Sequence, residues 1–230
     1  MMESQYNNIK TKQLVVAKYK ESIDWLKQVA GFDIIVYNKD STDINPSFKH
    51  LLNIGKEAHT YLTHIIENYD NLADYTIFCQ GRPFDHCPDF LEQIHQPVLA
   101  DFTWYTKAVI SRHWAHRHHK QFLNVKEILN AAGLYKLPDR TDFGVGAQFG
   151  LTRELILQKP KCYYIKLIDN FKRENIYEGW LRSSVGLEST TGLFWKRHGV
   201  YNFYFTACAF ERIWWYIFNH PHFNKDLIRK

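Results

Sequence analysis

No apolar run in this 230-residue chain approaches the roughly 20 residues that a membrane-spanning helix needs. The opening segment, MMESQYNNIKTKQ, is polar throughout and does not read as a secretion signal, so the expected location is cytoplasmic. Cysteine is sparse. Cys79, Cys87, Cys162 and Cys208 are scattered, with neither metal-ligand nor disulfide spacing, and read as mostly buried thiols. There is no internal repeat and no low-complexity linker, which leaves a single compact domain as the simplest organisation. The glycine–lysine–serine pattern of a P-loop is missing, which excludes a P-loop NTPase.

Aromatic residues are plentiful at 16%, enough for a large core, a ring-lined cleft or both. The net charge of +5 suits phosphate-bearing ligands or an anionic membrane surface but falls short of a dedicated nucleic-acid binder. The first third alternates between two periodicities. Residues 13–19, 32–37 and 74–79 read as buried strands, and residues 21–29 and 57–69 as helices. Leu62, Ile65, Ile66 and Tyr69 mark the apolar stripe of the second helix. The alternation predicts an α/β domain with a largely parallel sheet, whose ligand crevice lies outside the carboxyl ends of the strands. Those ends are residues 18–21, 38–40 and 80–86, and all three are polar. Helices are further expected over residues 124–134, 161–173 and 205–218, and Thr152 is the expected N-cap of another.

Several clusters carry possible chemistry, each with a plainer alternative. Asp85 and His86 follow the third strand and can hold a cation or orient a hydroxyl; otherwise Asp85 caps the short helix in PDFLEQI. Glu211 sits in a nearly all-apolar helix, FTACAFERIWWYIF, as a general base walled by Trp214 and Trp215 or as half of a structural ion pair. His113, His116, His118 and His119 offer metal ligands or a solvated basic surface. Lys56 and His59 lie where a helix N-terminus would attract phosphate, or are parts of a capped amphipathic helix. In GVGAQFGLTRE, Gln148 can bond a hydroxyl and Arg153 can clamp a phosphate, unless the segment is simply a tight turn into a helix.

Five blocks, LVVAKYKESIDWL, IIVYNK, NIGKEAHTYLTHIIENYDNLADYTIFCQGRPFDH, GAQFGLTRE and AFERIWWYIF, resemble a widespread domain family of unknown function with fungal, plant, bacterial and viral members. That family looks like a divergent branch of the A-type-fold glycosyltransferases. The resemblance implies a glycosyltransferase-A-like α/β fold with a mostly parallel central sheet flanked by helices. Residues 12–100 would form a nucleotide-binding half and residues 101–220 an acceptor and catalytic half. It implies sugar transfer from a nucleotide-sugar donor to a hydroxyl acceptor, a glycan or lipid-linked one, in capsule or lipopolysaccharide assembly. The setting would be the inner face of the membrane, reached by peripheral contact, with no nucleic-acid partner. The nucleotide would rest on Lys18, Tyr19, Asn38 and Lys39. Gln80, Arg82, Asp85 and His86 occupy the place of an Asp-x-Asp motif. Asp85 would then hold Mn2+ or Mg2+, or Arg82, Lys56 and Arg153 would neutralise the diphosphate without a metal. Glu211 is the first choice for the base and Asp85 the alternative; Tyr61, Trp214 and Trp215 would stack on sugar or base faces. A non-catalytic module for anionic glycans or nucleic acid is the competing reading.

Overall fold

The computed structural model describes residues 5–113, 128, 133, 140–171 and 204–219. The histidines 116, 118 and 119 and all but two residues of the expected helix 124–134 lie outside these.

Three apolar runs become the parallel core. Strands β1 (Lys12–Lys18) and β4 (Tyr75–Gln80) are mostly buried, and β2 (Asp33–Asn38) is buried over its second half, as expected of a parallel sheet covered on both faces. β1 pairs in parallel with β2 on one side and with β4 on the other, Val16 lying between Val36 and Cys79. The two-residue strand β3 (Lys49–His50) extends the β2 side. Beyond β4 the sheet turns antiparallel: β8 (Phe149–Thr152) pairs with β4, and β5 (Phe102–Trp104) pairs with β8. The result is a six-stranded mixed sheet of order β3-β2-β1-β4-β8-β5 flanked by helices. A separate hairpin joins β6 (Val109–His113) to β7 (Arg140–Gly144). The fold is therefore α/β and rich in parallel strands, but mixed rather than mostly parallel across its full width.

Alternate residues of each strand serve the two faces. Val15, Tyr37 and Phe78 face helices α1 (Lys56–Asn68), α4 (Lys161–Ile168) and α5 (Tyr204–Asn219) in one core. Phe149 is its hub, in ring contact with Tyr61, Phe78, Phe102, Trp104 and Trp214. Leu14, Val16, Ile77 and Cys79 face a second core with Trp25, Cys87 and Phe90, under α2 (Phe90–Ile94). Cys162 is exposed, unlike Cys79 and Cys87.

The expected helix over 21–29 is a shorter 3-10 turn, Asp24–Gln28. Its reach is limited because Trp25 is pinned inward. The expected N-cap holds: Thr152 Oγ1 accepts the Leu155 N–H at 3.3 Å and starts α3 (Arg153–Leu157). The glycine-spaced segment 144–150 is not one loop but the end of β7, a turn and β8. Gly146 at φ 88° and Ala147 at φ 52° make the turn. Among the described residues no helix is long and apolar enough to cross a membrane.

Candidate functional site at the carboxyl ends of β1 and β4

From β1 the chain winds outward through β2 to β3 and then crosses back to β4 on the other side of β1. The order β3-β2-β1-β4 thus reverses direction between β1 and β4, and in open α/β sheets ligands bind outside the strand ends at such a switch point. A cleft of about 410 Å³ lies there, lined by Glu21, Ser22, Asp24, Trp25, Arg82 and Phe84.

Short-range bonds stitch the two strand exits together. The Gly81 N–H donates to the Ala17 carbonyl at 2.8 Å. The indole N–H of buried Trp25 donates to the Gly81 carbonyl, also at 2.8 Å. Trp25 meets Phe84 and Phe90 edge-on at 5.7 and 5.8 Å, so the floor of the cleft is a wedged indole. Glu21 bends back over β1, its Oε2 accepting the Tyr19 N–H at 2.8 Å. A β-carbon on Gly81 would lie 3.0 Å from that same oxygen, so the missing side chain is what lets the carboxylate approach the β4 exit. Arg82 and Asp85 form an exposed pair across one 3-10 turn, Nε to Oδ1 3.2 Å. Gln148, fully buried, fixes this turn from below by donating to the Pro83 and Tyr105 carbonyls at 3.1 and 3.2 Å. The cleft therefore offers acceptors for hydroxyl groups, one guanidinium for an anion and apolar ring surface.

Of the residues anticipated for binding, Arg82 lines the cleft. Asp85 is tied to Arg82, exposed Tyr19 belongs to the same β1 exit, and Gln80 ends β4 beside it. His86 follows the turn, its ring packed against Gly146, where a β-carbon would overlap it. Asp89, not Asp85, holds the N-cap position of the helix in PDFLEQI, and it bonds Gln93 rather than the helix backbone.

The other assignments need correction. Lys18 is buried and spends its ammonium on Asp43 at 2.7 Å and the Tyr19 carbonyl at 3.1 Å. Asn38 is fully buried and folds the loop after β2, bonding the backbone of Asp40 and Asp43. Lys39 is buried and donates to the carbonyls of Ile54, at 2.5 Å, and Lys56. These cations hold loops, so they do not meet a diphosphate. Arg153 is at the wrong edge altogether: it is ion-paired with Asp74, just before β4, because β8 runs antiparallel and delivers its end to the amino side of the parallel strands. Gln148 serves backbone carbonyls, not a ligand hydroxyl. Tyr61 and Trp214 are fully buried with ring centroids 5.9 Å apart, out of reach for stacking; Trp215 is the exposed one.

Glu211 is bonded to Arg212 at 2.8 Å, and that guanidinium lies 3.8 Å from the centroid of Phe143, so the structural ion pair is what forms. None of the cleft lining comes from α5. Lys56 is exposed and its backbone is left-handed at φ 45°. His59 is half-buried against Phe171, and burial, reinforced by the Lys39 charge, pushes its pKa down to about 3, so the ring is neutral. Sequence reasoning passed over Ser22, Asp24 and Trp25. The signal was there in a tryptophan placed directly after the polar β1 exit.

Among the described residues no three His, Cys, Asp or Glu side chains group closely enough to hold a metal. Asp85 is a single carboxylate already engaged by a guanidinium. A divalent cation held by this one carboxylate would take its remaining ligands from substrate phosphate and water.

Residues 14–105 match the model of a family described as a protein of unknown function, DUF3431. The match covers less than half of the chain and takes in β1 to β5, including every residue that lines the cleft. No curated protein and no solved structure matches the chain.

Proposed function

We propose that the chain is a glycosyltransferase that moves a sugar from a nucleotide-sugar donor to a hydroxyl acceptor, in the assembly of surface polysaccharide such as capsule or lipopolysaccharide. The observation that carries this reading is the cleft at the β1–β4 switch point, where carboxylates, one arginine and an indole wall meet. The resemblance to a divergent A-type-fold glycosyltransferase adds to it. In this reading Glu21 and Asp24 accept hydrogen bonds from donor hydroxyls, and Arg82 takes the diphosphate. The acceptor oxygen attacks the anomeric carbon, the bond from that carbon to the phosphate oxygen breaks, and the leaving charge is met by the guanidinium. Anion binding at Arg82 releases Asp85, which lies beside the cleft and receives the acceptor proton. Glu211 is passed over as base because Arg212 holds it and it does not line the cleft. Work at the inner membrane face, by peripheral contact, suits a lipid-linked acceptor and the net positive charge.

Thermal unfolding with a panel of nucleoside diphosphates, with and without manganese, tests the reading. A ligand at roughly 100-fold above its Kd stabilises by about 2.7 kcal/mol, which is a clear shift in midpoint. One nucleotide is expected to stabilise the wild type and not Arg82→Gln, whereas Asp85→Asn keeps the stabilisation and loses transfer. A flat panel combined with tight heparin binding would instead establish a module for polyanions.

A further inference from the structure

The parallel sense of the sheet returns at its far edge. β8 runs antiparallel to β4 and β5 antiparallel to β8, so β5 is again parallel to β4 and ends at the same edge. The loop after β5, residues 105–108, is thereby delivered to the edge where the cleft opens. There it is bonded to the turn 82–86. The Lys107 N–H donates to the His86 carbonyl at 2.6 Å, and the Lys107 ammonium donates to the Asp85 carbonyl at 3.1 Å. Gln148 ties the same two segments together through the Pro83 and Tyr105 carbonyls.

The other cations near the strand exits are engaged. Lys18 pairs with Asp43, Lys27 with Asp24 and Arg82 with Asp85. Lys39 is buried on two carbonyls, and Lys20 lies 5.3 Å from the centroid of the Tyr19 ring. Lys107 differs: it is exposed, its ammonium rests on a neutral carbonyl, and it pairs with no carboxylate among the described residues. It does not line the cleft itself. It reaches the cleft's edge through Asp85, the partner of Arg82, which does line it. One aspartate thus joins two cations, the Arg82 guanidinium on its carboxylate at 3.2 Å and the Lys107 ammonium on its carbonyl at 3.1 Å. Both are long side chains with solvent at their tips, and both can leave Asp85 for a stronger acceptor.

We propose that Lys107 is the second cation of the phosphate site, Arg82 meeting one phosphoryl group of a diphosphate and Lys107 the other. The assignment rests on the transferase reading of the cleft and narrows it to donors that carry two phosphoryl groups; a monophosphate is held by Arg82 alone. The guanidinium is a planar fork, suited to two oxygens of one phosphoryl group, whereas the ammonium is a point charge on a flexible stem that can follow the neighbouring group. Exchanging a neutral carbonyl for a phosphate oxygen puts charge on both sides of the Lys107 bond, which strengthens it. Lys107 lies outside residues 14–105, so the site is completed by a part of the chain that the family match does not reach.

Titration calorimetry with inorganic pyrophosphate, and with the mono- and diphosphates of uridine, guanosine, adenosine, cytidine and thymidine, tests the pairing. The variants are Lys107→Gln and Arg82→Gln. The backbone bond from residue 107 to His86 survives the lysine replacement, and the lost side chain is exposed. Lys107→Gln is expected to weaken pyrophosphate and the bound nucleoside diphosphate about tenfold or more, the loss of one charged hydrogen bond, and to leave the matching monophosphate little changed. Arg82→Gln is expected to weaken all three. Diphosphates that bind Lys107→Gln as well as wild type, while Arg82→Gln loses them, overturn the role of Lys107 and leave the cleft standing. An equal loss of mono- and diphosphate in Lys107→Gln overturns the assignment to a second phosphoryl group. If neither pyrophosphate nor any nucleoside diphosphate binds the wild type, the transferase reading of the cleft falls, and Lys107 with it.

Discussion

Replacing Gly150 by alanine loads a place in the six-stranded sheet with no room for a methyl group. Gly150 lies mid-strand in β8, between Ile77 of β4 and Thr103 of β5. A β-carbon there would overlap the Tyr75 hydroxyl and stand 2.5 Å from its Cζ and 2.8 Å from Cε1. Tyr75 is fully buried and its hydroxyl meets that of Tyr105 at 3.3 Å, so a rigid ring, not a flexible tip, has to shift. Overpacking of this kind costs about 1–3 kcal/mol. Loss of the tyrosine pair adds about 1 kcal/mol. The stiffer unfolded chain returns about 0.4–1 kcal/mol. The sum is a loss of about 1–3.5 kcal/mol, centred on about 2. With a urea slope of about 2–3 kcal/mol/M for a chain of this size, the midpoint of unfolding should fall by about 1 M. In a Tyr75→Phe background the nearest clashing atom is gone, and the same glycine replacement should cost about 1 kcal/mol less. A loss below about 0.5 kcal/mol, or an identical loss in both backgrounds, would refute the contact as the cause.

Other perturbations separate architecture from chemistry. Arg153→Met should lower stability by about 1–3 kcal/mol through the lost bonds to Asp74 and the Leu72 carbonyl, and leave nucleotide binding at the cleft unchanged in the thermal-shift panel. His59 and His64 are held neutral by burial, with pKa values lowered from 6.5 to about 3. The unfolded chain binds their protons first, so their contribution is complete above pH 6.5 and is lost as pH falls from there towards 3. Each steepens the decline by at most about 1.4 kcal/mol per pH unit, and His64→Gln should flatten a urea-midpoint profile over that range. Gln148→Leu strips the donors from the Pro83 and Tyr105 carbonyls; a loss of about 1–3 kcal/mol is expected, together with faster hydrogen exchange in the turn 82–86.

What could be read beforehand follows from how local the determinants were. β1, β2, β4, α1 and α5 are each announced by one continuous period, and their limits fell within a residue or two. The strands β5 to β8 are short, and nothing in FTW or FGLT distinguishes a strand from a loop until a partner stands beside it. The candidate site split in the same way. That a cleft lies at the polar exits of β1 and β4 followed from strand alternation alone. Which side chains remain available there depended on tertiary partners: Asp43 for Lys18, and the Ile54 and Lys56 carbonyls for Lys39. Arg153 was misplaced for a topological reason, since the direction of β8 decides which edge its last residue reaches, and the sequence of β8 does not encode direction. Trp214 and Tyr61 were read as stacking platforms because an aromatic on an amphipathic helix looks the same whether it faces a core or a cleft.

The insertion of β8 between β4 and β5 has a consequence for the growing chain. Tyr75 of β4 pairs with Thr152, and Phe78 with Phe149, so the flank of β4 stays bare on the ribosome until residue 152 has emerged. That flank is a row of unpaired amides on the apolar strand YTIFCQ, the kind of edge that recruits other strands. A fragment ending near residue 105 would carry the whole cleft and still be an open-sided sheet, prone to zip onto its own copies. The segment in which the cleft resides therefore depends for its solubility on four residues supplied by the distant half of the chain.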